Sequence, residues 1–180
     1  ADILFIESTY GNKDNPFTDP EATLARIVNE TFYNHGVLVI PAFAVGRTQA
    51  LLYYLRKLMS ENKIPDVPVY IDSPMAISAT YLFYKFPAYH KIPMDKKEFA
   101  RELETNMLIF VKSAEHSKSL NEIKGNAIII SSSGMMTGGR ILHHLYNRLK
   151  NKNDTFLITG FQAEGTRGKK LLEKSATIKI

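Results

Sequence analysis

The chain has 180 residues, 44% of them hydrophobic, which suits one domain with its own core. It contains no cysteine, which excludes a disulfide framework and a thiolate metal site and fits a reducing, cytoplasmic setting. Its net charge of +5 is uneven: Met135 to Ile180 carry nine Lys or Arg against three Asp or Glu, while residues 1–134 carry 14 against 15. A basic end segment either attracts a polyanion such as nucleic acid or forms a solvated face. The longest apolar runs, such as Ala127–Ile130 and Phe156–Ile158, are too short to span a bilayer, and no secretory signal pattern opens the chain.

In chain order, Ile3–Ile6 reads as a first strand, followed by Glu7-Ser8-Thr9-Tyr10-Gly11. A carboxylate at the carboxyl end of a strand, on a turn of small hydroxylated residues, lies where α/β folds place their sites. Glu7 there either orients a catalytic histidine or caps the turn. Asn12–Pro20 reads as a loop, and Asp19-Pro20 signals the start of a helix over Glu21–Asn34. Val37–Ile40 is the second strand. It runs through Pro41 to Gln49 into a helix over Thr48–Met59, with Leu51, Leu52, Leu55 and Leu58 at helical spacing. Gly46 permits a tight turn. Arg47 and Thr48 fall at the helix N-terminus, where backbone N–H groups attract an anion and an arginine fork suits phosphate. N-capping by Thr48, with Arg47 solvated, is the plain alternative.

After a loop over Asn62–Pro68, Val69–Ile71 is the third strand. Asp72-Ser73-Pro74-Met75 opens a helix over Met75–Tyr84, and Asp72 at the strand tip reads as a cap. A loop over Tyr89–Met94, a helix over Lys96–Thr105, a strand over Met107–Val111 and a long loop over Ser113–Gly125 follow. Strand Ala127–Ser131 then leads into a loop with Ser131, Ser132, Ser133, Gly134, Thr137, Gly138, Gly139 and Arg140. Its hydroxyls and exposed backbone have the composition of a phosphate cradle, although neither GxGxxG nor a P-loop is present. A helix over Gly139–Lys150 carries His143 and His144. A last strand, Phe156–Thr159, runs through Gln162, Gly165, Thr166 and Lys169 into a short basic helix over Gly168–Glu173. That loop is either a phosphate contact or a solvated surface loop.

Alternation of apolar strands with helices predicts an α/β three-layer sandwich with a mostly parallel, Rossmann-like sheet. In such a sheet every strand-to-helix turn above gathers at one edge, as a glycine-rich, partly basic rim. The five histidines offer no metal cluster. His35, His90 and His116 are isolated, and adjacent helical residues such as His143 and His144 point roughly 100° apart.

The segments Glu7-Ser8-Thr9-Tyr10-Gly11, Gly46-Arg47-Thr48-Gln49, Asp72-Ser73-Pro74-Met75-Ala76, Ser132-Ser133-Gly134-Met135 through Gly138-Gly139-Arg140, and Gln162-Ala163-Glu164-Gly165-Thr166 with Gly168 occur in that order. Together they resemble the β-CASP domain of the metallo-β-lactamase-fold RNA-processing nucleases, over essentially the whole chain. The resemblance implies residues 1–180 are a β-CASP domain cut from a larger nuclease, clamping RNA over a cleft with two zinc ions. The zinc would sit in the metallo-β-lactamase domain of the same parent chain, and none in this one. Glu7 matches the family's acidic residue that supports a catalytic histidine. Many relatives have His four residues after the ESTYG glycine, where this chain has Asn15. The expected partners are RNA and the metallo-β-lactamase domain, with no membrane, and a homodimer is compatible with the sequence. Two rival readings stay open: a stand-alone RNA-binding or assembly module without hydrolytic role, and a small-molecule α/β enzyme with a nucleotide in the rim.

Overall fold

The computed structural model describes residues 1–12, 14, 19–93, 95–105 and 107–180. Its elements are α1 (Pro20–Tyr33), β1 (Val37–Pro41), α2 (Arg47–Ser60), β2 (Val69–Asp72), α3 (Pro74–Lys85), α4 (Lys96–Glu104), β3 (Leu108–Phe110), α5 (Ala114–Ser119), β4 (Ala127–Ser131), α6 (Ile141–Arg148), β5 (Thr155–Phe156) and α7 (Arg167–Leu172). The strands form one sheet in the order β3-β2-β4-β1-β5, and every pairing is parallel.

The pleat sorts the apolar side chains into two cores. Leu38 and Ile40 of β1 and Ile128 and Ile130 of β4 pack against α1, α2, α3 and α4. Their neighbours Val37, Val39, Ala127 and Ile129 point to the other face, against Leu120 and α6, with Leu171 of α7 beside them. Helices on both faces explain why the central strands are apolar throughout. Each fully buried Ile or Leu contributes about 1.5–3 kcal/mol. No helix among the described residues is long and apolar enough to cross a membrane.

Crossover handedness places the helices. From β1 through β2 to β3 the chain moves one way across the sheet, with α2, α3 and α4 on one face. From β3 through β4 to β5 it moves back, so right-handed connections put α6 on the other face. Adjacent strands β1 and β4 therefore send their chains to opposite faces, which opens a crevice at their carboxyl ends.

Four expectations are corrected. Ile3–Ile6 forms no strand: Ile3, Leu4, Phe5 and Ile6 are 75–94% exposed. A run apolar on both faces needs cover on both sides, and no described strand pairs with it. The expected loop at 113–125 contains α5, capped by Ser113, whose Oγ accepts from His116 N at 3.1 Å. This helix, Ala-Glu-His-Ser-Lys-Ser, has no apolar repeat to reveal it. The helix expected from Gly139 starts at Ile141, because Gly139 is left-handed (φ 81°) and a Cβ there would lie 2.4 Å from Ser132 O. The last strand is only Thr155–Phe156, where it pairs with Leu38 and Val39. The cap at Asp19 is as expected: its Oδ1 accepts from Glu21 N at 2.9 Å, and Pro20 begins α1. Asn15 lies outside the described residues.

Candidate functional site

The site starts at the end of β1. Ala42 N donates to Ser131 O (3.0 Å) and Ser132 Oγ donates to Ala42 O (3.1 Å), stitching the chain after β1 to the chain after β4. Gly46, left-handed at φ 84°, turns the chain into α2, and its N–H donates to Gln49 Oε1 at 2.7 Å. Gln49 is buried, and its Nε2 donates to Ala44 O (3.1 Å) and Thr80 Oγ1 (3.0 Å). Thr48 is buried too, with its hydroxyl donating to Phe43 O at 2.8 Å. Thr48 and Gln49 thus shape the turn from inside. Arg47 is exposed, and among the described residues nothing pairs with its guanidinium.

Above this turn lies a cleft of about 700 Å³. It brings together Glu7 and Tyr10 from the first segment, Gly46 and Arg47 from the second with Phe43 just before them, Met135 from the fourth, and Gly160 with Phe161 just before the fifth. Glu7 and Arg47 are its only charged side chains among the described residues. The Thr9 hydroxyl and backbone N–H, the latter at 2.6 Å from Oε1, hold the exposed Glu7 carboxyl below the usual carboxylate range. Tyr10, Phe43 and Phe161 give the rest of the wall its aromatic surface, beside Val45, Ala50 and Met135. Phe161 N donates to Tyr10 Oη at 3.1 Å, and the two rings meet edge to face with centroids 6.0 Å apart.

The loop after β4 is held from below. Ser133 Oγ accepts from Thr137 N (3.0 Å), Ser133 N donates to Gly138 O (3.2 Å), and Ile141 N donates to Ser132 O (3.3 Å). Met136 is fully buried in the second core, while its neighbour Met135 lines the cleft. Arg140 is turned inward. Its Nη1 donates to Asp72 Oδ1 (2.8 Å) and Val111 O (2.8 Å), and its Nη2 to Lys112 O (3.1 Å). Asp72 is not the cap of α3; Ser73 is, accepting from Ala76 N at 3.2 Å. Asp72 is instead fully buried, and its Oδ2 also accepts from Ser117 Oγ (2.6 Å) and His144 Nε2 (2.7 Å). Burial alone would raise its pKa. The hydrogen bonds from His144, Ser117 and Arg140 outweigh that and hold it below the usual carboxylate range.

The third loop locks onto the second. Gln162 is buried, and its Nε2 donates to Gly134 O (3.0 Å) and Gly160 O (3.2 Å). Gly168 N donates to Met135 O at 3.2 Å. Thr166 caps α7, its Oγ1 accepting from Lys169 N at 3.2 Å. Gly165 is left-handed, at φ 78°. Lys169 lies with Gln162 in a second hollow of about 620 Å³ beyond Tyr10 and Phe161. Its Nζ sits 3.0 Å from Glu164 and 3.3 Å from Glu173, which raise its pKa and offset its charge. A further hollow of about 510 Å³, near Arg56 and Arg101, is lined by none of the candidate site residues.

The gathering at one sheet edge was legible; the division of labour was not. Gly46 and Arg47 line the cleft with Glu7, whereas Thr48, Gln162 and Arg140 act inside the turns. Tyr10, Phe43 and Phe161 were not singled out, although each lies inside or beside a motif segment. His144 was passed over because a buried histidine announces itself only by helical position. Ile141, His144, Leu145 and Arg148 share the buried face of α6, while His143 is exposed.

The Beta-Casp domain family profile matches residues 48–171. The chain belongs to the β-CASP family. It is similar to ribonuclease TTHA0252 of Thermus thermophilus, 30% identical over 192 residues that cover 100% of this chain and 42% of that protein. An RNase J-like protein of Methanocaldococcus jannaschii is 35% identical over 98% of this chain and 41% of its own length. Endoribonuclease ysh1 of Schizosaccharomyces pombe is 31% identical over 98% and 23%. This β-CASP chain therefore spans less than half the length of these relatives. The profile match begins at Thr48, just after Arg47, while the alignment with the Thermus protein covers the whole chain, Glu7 included. Among the described residues of the β-CASP domain, no group of three or more His, Cys, Asp or Glu is placed to hold a metal ion. The described residues thus offer no ligand set for the zinc pair that the family resemblance implies.

Proposed function

We propose that this chain is the RNA-gripping domain of a ribonuclease whose metal centre is built by another part of the same protein, a metallo-β-lactamase domain carrying two zinc ions, working in the cytoplasm. The observation that carries the reading is the cleft at the carboxyl ends of β1, β4 and β5. It sets one carboxylate, Glu7, and one unpaired cation, Arg47, among three aromatic side chains. Tyr10, Phe43 and Phe161 offer surfaces for unstacked bases, as single-strand sites do. Arg47 suits one phosphate, and Glu7 acts on a neighbouring group of the reaction centre. The names of the relatives support ribonucleic acid as the substrate and phosphodiester cleavage as the reaction.

The charge of the last quarter does not enter the cleft. None of its nine Lys or Arg lines the cleft, and Arg140, Arg148, Arg167 and Lys169 have partners within the chain, so the proposed grip is aromatic with a single cation. Binding of a fluorescent single-stranded RNA to the chain should therefore depend weakly on salt, with a log–log slope near −0.7 for one phosphate contact. Arg47→Ala should weaken several unrelated sequences by similar factors and bring the slope close to zero. Wild-type chain that ignores RNA, or a mutant with unchanged affinity and slope, overturns the reading.

A further inference from the structure

We propose that Asp72 is a positioning residue for the cleft: with Ser117, Arg140 and His144 it holds the loop over residues 132–140 in the one arrangement that puts Met135 into the cleft wall. The inference rests on the reading that the cleft takes RNA. It starts from a residue that no ligand can reach. Asp72 is fully buried at the tip of β2, and the cleft lining does not include it. Yet it touches both ends of the loop. Its backbone carbonyl accepts from Ser131 Oγ at 3.0 Å, at the start of the loop. Its Oδ1 holds Arg140 at the end of the loop, and its Oδ2 holds His144, one turn into α6. Ser117 of α5 brings a third element to the same carboxylate. Between these anchors the loop closes on itself through the Ser133 contacts, with Met136 plugged into the core and Met135 beside it facing out.

The chemistry makes the arrangement single-valued. The half-buried Arg140 forms an ion pair with the fully buried Asp72, and Val111 O and Lys112 O take up further guanidinium hydrogens. His144 donates from Nε2, while its buried Nδ1 has no partner. An apolar cluster of similar volume could fill the space. It could not define where both loop ends sit, because apolar packing has no fixed direction whereas these bonds do.

The test separates holding from touching. Asp72→Asn keeps the shape but turns one acceptor oxygen into a donor against Ser117 and His144. If the binding-ready loop falls to about a tenth of the folded molecules, RNA affinity falls about tenfold. The salt slope should stay at the wild-type value, since no phosphate contact is lost, whereas Arg47→Ala lowers it. Hydrogen exchange should quicken at loop amides such as Thr137, with strand amides such as Val39 and Ile129 still protected. Ser117→Ala removes one bond without changing charge and should give a smaller effect of the same kind, which keeps the test alive if Asp72→Asn does not fold. A folded mutant with wild-type affinity, a fall in slope, or uniform loss of protection overturns the proposal. If wild-type chain binds no RNA, the functional reading fails separately, and loop exchange in the mutants still decides whether Asp72 holds the loop.

Discussion

At the scale of single residues, two carboxylates that the sequence pattern puts at strand ends have opposite fates. Glu7 is exposed and held by Thr9 alone, so it is available to a neighbouring group. In the full-length protein, Glu7→Gln should lower the single-turnover cleavage rate and leave RNA affinity within about twofold, because an orienting carboxylate sets the tautomer and pKa of a neighbouring histidine and touches no RNA. An unchanged rate in rapid-quench measurements sinks this role. Asp72 is buried, and its lowered pKa ties stability to pH. A group whose carboxyl is depressed in the folded state stabilises fully above the unfolded value, about 3.9, and loses that contribution as pH falls through the folded value. Urea unfolding should therefore show wild type more stable than Asp72→Asn at pH 6, with the gap closing on acidification below about pH 4. A constant gap would mean that the mutation acts by packing alone. The chemistry of both side chains was readable from the sequence. Their burial was not, because a strand tip is solvated or covered according to what folds over it, and α5 and α6 come tens of residues later.

At the scale of elements, β5 shows how a two-residue strand is kept in place. Arg148, on the buried face of α6, donates from Nη1 to Asp154 Oδ2 at 3.0 Å, and from Nη2 to Leu120 O and to Ile123 O. Asp154 Oδ1 accepts from Val37 N at 2.9 Å, at the start of β1. One ion pair thus joins α6, β1, β5 and the turn after α5. Asp154→Ala strands a buried guanidinium and should cost about 3–5 kcal/mol in chemical unfolding. The double change Asp154→Ala with Arg148→Met should cost less than the single one, since no charge is left unpaired. A double mutant less stable than the single would show that the pair contributes by direct packing. The sequence indicated the helix and the strand, but the pair spans only six positions and looks like surface charge on paper. Ile3–Ile6 errs the other way: its apolar run has the pattern of a buried strand, yet it lies exposed because pattern sets the need for a partner and cannot supply one.

At the scale of the whole molecule, the described residues form a cleft and no cluster of metal ligands. After chelator treatment and dialysis, elemental analysis should find well below one zinc per chain, and added zinc should leave its unfolding midpoint unchanged. A tightly held stoichiometric ion would require a site outside the clusters sought among the described residues. Strand and helix periodicity, the cap at Asp19 and the turn residues at strand ends are local properties. The residues themselves fix them through backbone preference and solvation, so the sequence alone determined the α/β class, the near-complete set of elements and the gathering of the motifs at one sheet edge. Tertiary structure decided which motif residues face the cleft. Arg47 and Arg140 look alike in sequence, each beside glycine at a helix start. One is left in solvent at the cleft and the other is drawn inward by Asp72, 68 residues away, because an ion pair forms where the fold brings charges together and chain spacing does not record that.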